Sequence, residues 1–181
     1  MDISESDIEF NDLYIYNNSA ITKLEHNTIS YFSLTISYYN CEICLNKVIQ
    51  DNIRNTLDKY IAENDININT IDYKMLRDLL KKCKLPYYKF ICFIAYFYLD
   101  FPLPDITTYL KNKMINQYIK ISEEYESLEI KRSSCLNSNF ILYKLLLFNG
   151  CHVDPYSVFE IKTKKSLVFH EETWTILKLI L

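Results

Sequence analysis

The sequence predicts a mainly α-helical protein, with a bundle of about six helices in residues 46–181 behind a small β-rich leader in residues 1–45. From Val48 onward, apolar residues recur at the three-to-four-residue spacing of amphipathic helices. Before that point, residues 13–16 and 29–39 are rich in Tyr, Ile, Phe and Thr and are separated by Asn-containing turns. We therefore expect about three short strands ahead of the helices.

Residues 86–99 are the most apolar stretch and are predicted to form the central helix. Between Tyr87 and Leu99 the only charged residue is Lys89, so the segment has no polar face beyond its first turn. A helix that is apolar all round belongs in a core or a membrane, and a bilayer requires about 20 apolar residues. We therefore expect a buried helix, with Phe93 and Phe97 in the core.

The remaining helices are predicted from the same spacing. They cover residues 48–62, 71–83, 104–128, 139–148 and 171–181, with a short helix at residues 155–160. The Asn149-Gly150 pair predicts the C-terminal cap of the helix before it. Residues 130–136 are expected to form a loop, and residues 161–168 to be extended.

The composition argues against dinucleotide and nucleotide enzymes of the familiar kinds. Gly150 is the single glycine, whereas loops that cradle phosphates need several. No nucleophile with a base, paired carboxylates or complete set of metal ligands stands out, so we expect a non-enzyme with no cofactor, no bound metal and no small-molecule substrate. We recognise no secretory signal and no membrane segment, so the six cysteines are expected to be mostly free thiols in a reducing compartment.

Charge is distributed unevenly along the chain. The net charge is −3, yet residues 1–47 contain seven acidic and only two basic residues, which leaves the helical part mildly basic. The densest basic cluster lies on and after the second predicted helix and comprises Lys74, Arg77, Lys81, Lys82, Lys84 and Lys89. Such a cluster fits a surface that contacts nucleic-acid phosphates. A solvated helix face fits it equally well, because Asp72 and Asp78 interrupt the positive charge.

Cys41 and Cys44 form a C-x-x-C pattern just ahead of the helices. Two thiolates at this spacing are half of a tetrahedral zinc site, and structural zinc requires four ligands. Residues 1–40 contain no cysteine and His26 is the only histidine there. The sequence therefore predicts two ordinary thiols and no stoichiometric zinc.

Four segments in order resemble the viral late transcription factor 3 family of poxviruses and other large DNA viruses. They are the Cys41 and Cys44 pair, the basic helix and double tyrosine of LRDLLKKCKLPYYKFICFIAYFYLDFPLP, the Asn-Phe helix start of KRSSCLNSNFILYKLLLFNG, and FEIKTKK followed by EETWTILKLIL. Together they cover residues 39–181.

The resemblance implies a late gene transcription initiation factor that acts with a viral multisubunit RNA polymerase, other transcription factors and promoter DNA in the host cytoplasm, away from membranes. The family looks similar to transcription factor IIB, a zinc ribbon followed by a cyclin-like helical domain with a buried central helix. Residues 86–99 would take that position, and the leader would be a degenerate ribbon. The alternative is a protein–protein adaptor of a viral or virus-like transcription complex, one that has lost contact with DNA.

Overall fold

The computed structural model describes residues 28–128, 136–160 and 163–181, and within these ranges the chain is helical and contains no strand. The described α-helices are α1 (Thr28–Tyr39), α2 (Lys47–Glu63), α3 (Tyr73–Lys82), α4 (Ile91–Leu99), α5 (Thr108–Ser127), α6 (Ser138–Phe148), α7 (Pro155–Val158) and α8 (Lys164–Leu177). Short 3₁₀ helices lie at Ile68–Thr70, Tyr88–Phe90 and Lys178–Ile180. The predicted mainly helical class is confirmed.

Helix α1 replaces the strand predicted at residues 29–39, so that prediction is wrong. The β-branched and aromatic residues of this segment favour strands by composition. Its buried side chains Phe32, Thr35 and Ile36, however, follow helical spacing and form one apolar face. Packing of that face outweighs the local preference. The leader strand predicted at residues 13–16 lies outside the described residues, and the division of the chain at residue 45 stays a prediction.

Helix α1 contributes to both apolar cores of the protein. The first core is built mainly from α2, α3 and α4, and Tyr38 of α1 belongs to it. The second is built from α5, α6, α7 and α8, and Phe32 and Ile36 of α1 lie within it. Phe32 stacks on Tyr118 of α5 with ring centroids 4.0 Å apart. The segment predicted to be a separate β-rich leader is thus partly an integral core helix.

The predicted central helix is shorter and less buried than the sequence indicates. It is a 3₁₀ turn, Tyr88–Phe90, followed by the nine residues of α4. Ile91, Ile94, Ala95 and Tyr98 are buried in the first core, but Phe93 and Phe97 are only partly buried. The prediction of a helix that is buried all round, with both phenylalanines fully in the core, is therefore wrong for one face of α4.

Helix ends in this glycine-poor chain use other residues in the left-handed conformation. Cys41 (φ 54°) follows α1 and Lys84 (φ 55°) follows α3, where most proteins would place glycine. Gly150 (φ 83°) takes this position after α6, which confirms the cap predicted there. In each case the next residue donates its N–H to a carbonyl of the last helical turn, and Leu85 does so to Leu80 at 2.8 Å. The cap hydrogen bonds hold these residues in a conformation that side chains disfavour.

Helix α8 begins earlier than predicted. Thr163 is its N-cap, with its side-chain oxygen accepting the N–H of Ser166 at 3.2 Å. The extended conformation expected for residues 161–168 is thus wrong from Lys164 onward, and residues 161–162 lie outside the described residues. The loop predicted at residues 130–136 also falls almost wholly outside them. None of the described helices has the length and apolar content needed to cross a membrane.

Candidate nucleic-acid interface

Helix α3 carries most of the predicted basic cluster, and its own sequence explains its orientation. The Asp72 side chain caps the helix by accepting the N–H of Met75 at 2.7 Å. Leu76, Leu79 and Leu80 are buried in the first core. The opposite face therefore turns outward, and the lysines of the helix lie on it.

Arg77 belongs to the interior, although the sequence groups it with the surface lysines. Its side chain is only 6% exposed, and its Nε donates to the backbone carbonyl oxygen of Tyr156 in α7. Burial lowers the pKa of the guanidinium, and the nearby carboxylates of Glu160 and Asp154 oppose that shift. The geometry gives Arg77 a structural role, joining α3 to α7.

Lys74 and Lys81 are partly engaged by the same segment around α7. The Lys81 ammonium is paired with the Glu160 carboxylate and lies 3.8 Å from that of Asp78. Lys74 places its Nζ 5.7 Å from the ring centroid of Tyr156, in a cation–π arrangement. Both side chains reach the surface, but each must give up an intramolecular partner to bind a phosphate with its full charge.

Lys82 and Lys84 are exposed at the end of α3. Neither forms an ion pair with any residue that the structure describes. Lys82 is the last residue of the helix, Cys83 is its C-cap, and Lys84 follows in the left-handed conformation. These two ammonium groups are thus held, with their charges available, on a short and well-anchored turn of residues 82–84, which we call the basic turn.

Lys89 lies in the 3₁₀ turn before α4. Its Nζ is 5.2 Å from the ring centroid of Tyr38 and 5.7 Å from that of Phe90. The predicted cluster is therefore divided. Lys82 and Lys84 present open charge, Lys89 lies over aromatic rings, Lys74 and Lys81 contact the segment around α7, and Arg77 is inside.

The residues Cys41 and Cys44 do not fit a zinc site among the described residues. The Cys44 thiol donates to the backbone oxygen of Cys41 at 3.1 Å. Burial raises the pKa of the Cys41 thiol to about 12, and the neighbouring Cys44 adds to the shift. Thiols bind zinc as thiolates, with four ligands, and no group of three or more candidate ligand side chains is found in the described part of the chain. The absence of stoichiometric zinc stays a prediction.

His170 has a structural role that the sequence did not indicate. It is buried in α8, its Nε2 accepts the backbone N–H of Asn137 at 3.1 Å, and its Nδ1 lies 2.7 Å from the carbonyl oxygen of Ser166. A neutral imidazole with the proton on Nδ1 satisfies both contacts. His170 thus joins α8 to the start of α6, whose cap is Asn137 itself.

A second outward-facing surface, also missed from the sequence, lies on α4. Phe93, Tyr96 and Phe97 occupy one face of the helix, and Tyr96 is 45% exposed. Arg54 of α2 lies beside them and donates from Nη2 to the backbone oxygen of Phe97 at 2.8 Å. Spacing of three and four residues places these aromatic residues together, but an all-apolar segment gives no sign of which face is outside.

These features define a helical protein with an open basic turn and, within the described residues, no assembled metal site. The family model described as Poxvirus Late Transcription Factor VLTF3 like matches residues 17–179, and the chain belongs to this family. The family resemblance found in the sequence is therefore confirmed, and the family is one of viral late transcription factors. No curated protein and no solved structure matches the chain.

Proposed function

We propose that this protein helps a viral multisubunit RNA polymerase to start transcription at late promoters, by bridging the polymerase and promoter DNA without catalysing a reaction. Family membership supports the role in late transcription. The observation that favours DNA contact is the exposed turn with Lys82 and Lys84. We propose that it acts in the host cytoplasm together with other transcription factors, as the resemblance implies. We also propose that its helices have the cyclin-like arrangement of transcription factor IIB.

The basic turn suits a positioning contact with the DNA backbone. The Leu85 N–H bond to Leu80 fixes the chain after α3, so Lys82 and Lys84 project from a rigid point. Lysine ammonium groups bind phosphates as point charges and carry no sequence information. We therefore propose that Lys82 and Lys84 hold the duplex and that promoter selectivity comes from other contacts. Lys89 lies over the rings of Tyr38 and Phe90, so we assign it a secondary part.

The roles of the remaining predicted residues follow from their partners. Lys74 and Lys81 join the DNA contact only when they leave Tyr156 and Glu160, so we assign them a secondary part. Arg77 supports the surface from inside by fixing α3 on α7.

A salt titration of duplex binding tests this assignment. Each phosphate contact that is lost reduces the slope of log K against log salt by about 0.9, so Lys82→Gln/Lys84→Gln should reduce it by about 2. The matched control is Lys113→Gln/Lys120→Gln, which removes two exposed charges from α5 and should leave the slope unchanged. Equal slopes for all three proteins would contradict the contact.

A protein–protein adaptor is the second candidate. The observation that favours it is the engagement of Arg77, Lys74 and Lys81 within the fold, which leaves a small open basic surface. An adaptor would bind no promoter DNA, either alone or with the polymerase. The same titration, repeated with the polymerase present, distinguishes the two.

A further inference from the structure

The outward face of α4 is an aromatic surface without an assigned role. The ring centroids of Phe93 and Phe97 are 5.4 Å apart, and those of Phe93 and Tyr96 are 6.5 Å apart. Tyr96 is 45% exposed, and both phenylalanines are partly exposed. Phe93 and Phe97 pack against the edge of the first core, whereas the side chains buried within it come from the other face of α4.

Charged residues lie near this aromatic surface: Arg54 contacts it, Asp58 accepts a hydrogen bond from the Tyr98 hydroxyl beside Arg54, and Asp100 directly follows the helix. The Arg54 guanidinium is exposed and its carbon lies 5.8 Å from the Phe97 ring centroid. Its bond to the Phe97 carbonyl oxygen fixes it there. Asp100, also exposed, follows the helix directly with φ 58°. A ligand for this surface must therefore offer flat apolar faces to the rings and negative charge to Arg54, at a distance from Asp100.

Unpaired nucleotides meet both requirements. Each base has a π-face that stacks on an aromatic side chain, and each is linked to a phosphate that a nearby arginine can bind. Bases in a duplex are stacked on one another and offer no such face. A surface of this kind therefore distinguishes single-stranded from double-stranded DNA.

We propose that Phe93, Tyr96, Phe97 and Arg54 bind single-stranded DNA, with bases on the rings and a phosphate at Arg54. This inference rests on the proposed function, because a factor that acts at promoters meets a single strand when the duplex opens. The basic turn with Lys82 and Lys84 then contacts the duplex, and the α4 surface holds the melted strand.

Fluorescence anisotropy with labelled oligothymidylate and with a duplex of the same length tests the proposal. Tyr96→Ala should weaken oligothymidylate binding about 5- to 150-fold, as expected for the loss of one base–ring stack, and should leave duplex binding unchanged. Tyr96→Phe should keep near wild-type affinity. Tyr96→Leu should weaken binding as much as Tyr96→Ala, because it removes the π-face although it retains apolar area. Tyr109→Ala, which removes a 76% exposed tyrosine from α5, is the matched control and should have no effect.

The two flanking charges give an independent check. Arg54→Gln should weaken strand binding and reduce its salt slope by about 0.7, the value for one phosphate contact on a single strand. Asp100→Asn should strengthen strand binding, since it removes a repelling charge, and asparagine tolerates the left-handed backbone. A neutral result for both variants would contradict the proposed position of the phosphate.

Absence of oligothymidylate binding, or wild-type affinity in Tyr96→Leu, would overturn the proposal. These failures are distinguishable from failure of the proposed function. If duplex binding depends on Lys82 and Lys84 while strand binding does not depend on Tyr96, only this inference is wrong. If strand binding depends on Tyr96 but the protein neither binds promoter duplex nor supports initiation, the proposed function is wrong and this inference stands.

Discussion

Replacing Arg77 with methionine tests whether this buried member of the basic cluster stabilises the fold, in contrast to the exposed lysines. Methionine has a similar length and can fill the space between α3 and α7, but it removes the bond from Nε to the Tyr156 carbonyl oxygen. Hydrogen bonds that involve a charged group contribute about 1.5–3 kcal/mol to stability. Because Arg77 is only 6% exposed, water cannot readily replace the guanidinium. We expect Arg77→Met to lower the free energy of unfolding by about 2–3 kcal/mol.

Urea denaturation followed by circular dichroism measures this change, which should appear as a lower midpoint with an unchanged m-value. Lys82→Met, an exposed position on the same helix, is the matched control and should stay within about 0.5 kcal/mol of wild type. If Arg77→Met is equally neutral, Arg77 does not hold α3 on α7. The reasoning that removes it from the DNA-contacting surface would then be refuted.

Three further predictions concern the cores, the α1–α5 junction and the thiols. Ile94→Ala, at a fully buried position of α4, should lower the free energy of unfolding by about 2–5 kcal/mol. Phe93→Ala should lower it less, because the Phe93 ring is partly exposed. A larger loss for Phe93→Ala than for Ile94→Ala in urea denaturation would contradict the orientation of the helix. Burial alone would raise the pKa of Glu42, but hydrogen bonds led by that from Lys111 outweigh it and lower the pKa below its ordinary value of 4.5. The stabilisation from Glu42 is therefore complete above about pH 4.5 and is lost as the pH falls through the lower folded-state pKa. Glu42→Gln should accordingly weaken the pH dependence of the urea midpoint over that range. An unchanged pH dependence would argue against the ion pair. Metal analysis of the purified protein should find no stoichiometric zinc, and one zinc per chain that is lost on Cys41→Ser would show this to be wrong.

Helical periodicity was sufficient to predict most helices of the bundle, but composition misled the prediction for α1. Phe32 and Ile36 have the spacing of a helix face, while Tyr, Ile and Thr around them have the composition of a strand. Which of the two prevails depends on contacts with α5 and α6, such as the stacking of Phe32 on Tyr118. Those partners lie far along the chain, so local sequence could not reveal them.

The candidate site was predictable as a charge cluster but not as a surface. Arg77 and Lys82 look equivalent in the sequence, yet the partners of Arg77 and Lys81 are Tyr156 and Glu160, each 79 residues away. The aromatic surface of α4 was hidden for the same reason, because an all-apolar segment carries no mark of its outer side. In both cases the missing information is which distant element covers which face.

Run-off transcription with the cognate polymerase tests the central claim most directly, by comparing wild type, Lys82→Glu/Lys84→Glu and the control Lys113→Glu/Lys120→Glu. We expect the first variant to fold normally in urea denaturation and to lose promoter-specific initiation at moderate salt, because two repelling charges replace two phosphate contacts. The control variant should initiate at the wild-type level. Full promoter-specific initiation by a folded Lys82→Glu/Lys84→Glu protein would contradict the claim that this basic turn bridges the polymerase to promoter DNA.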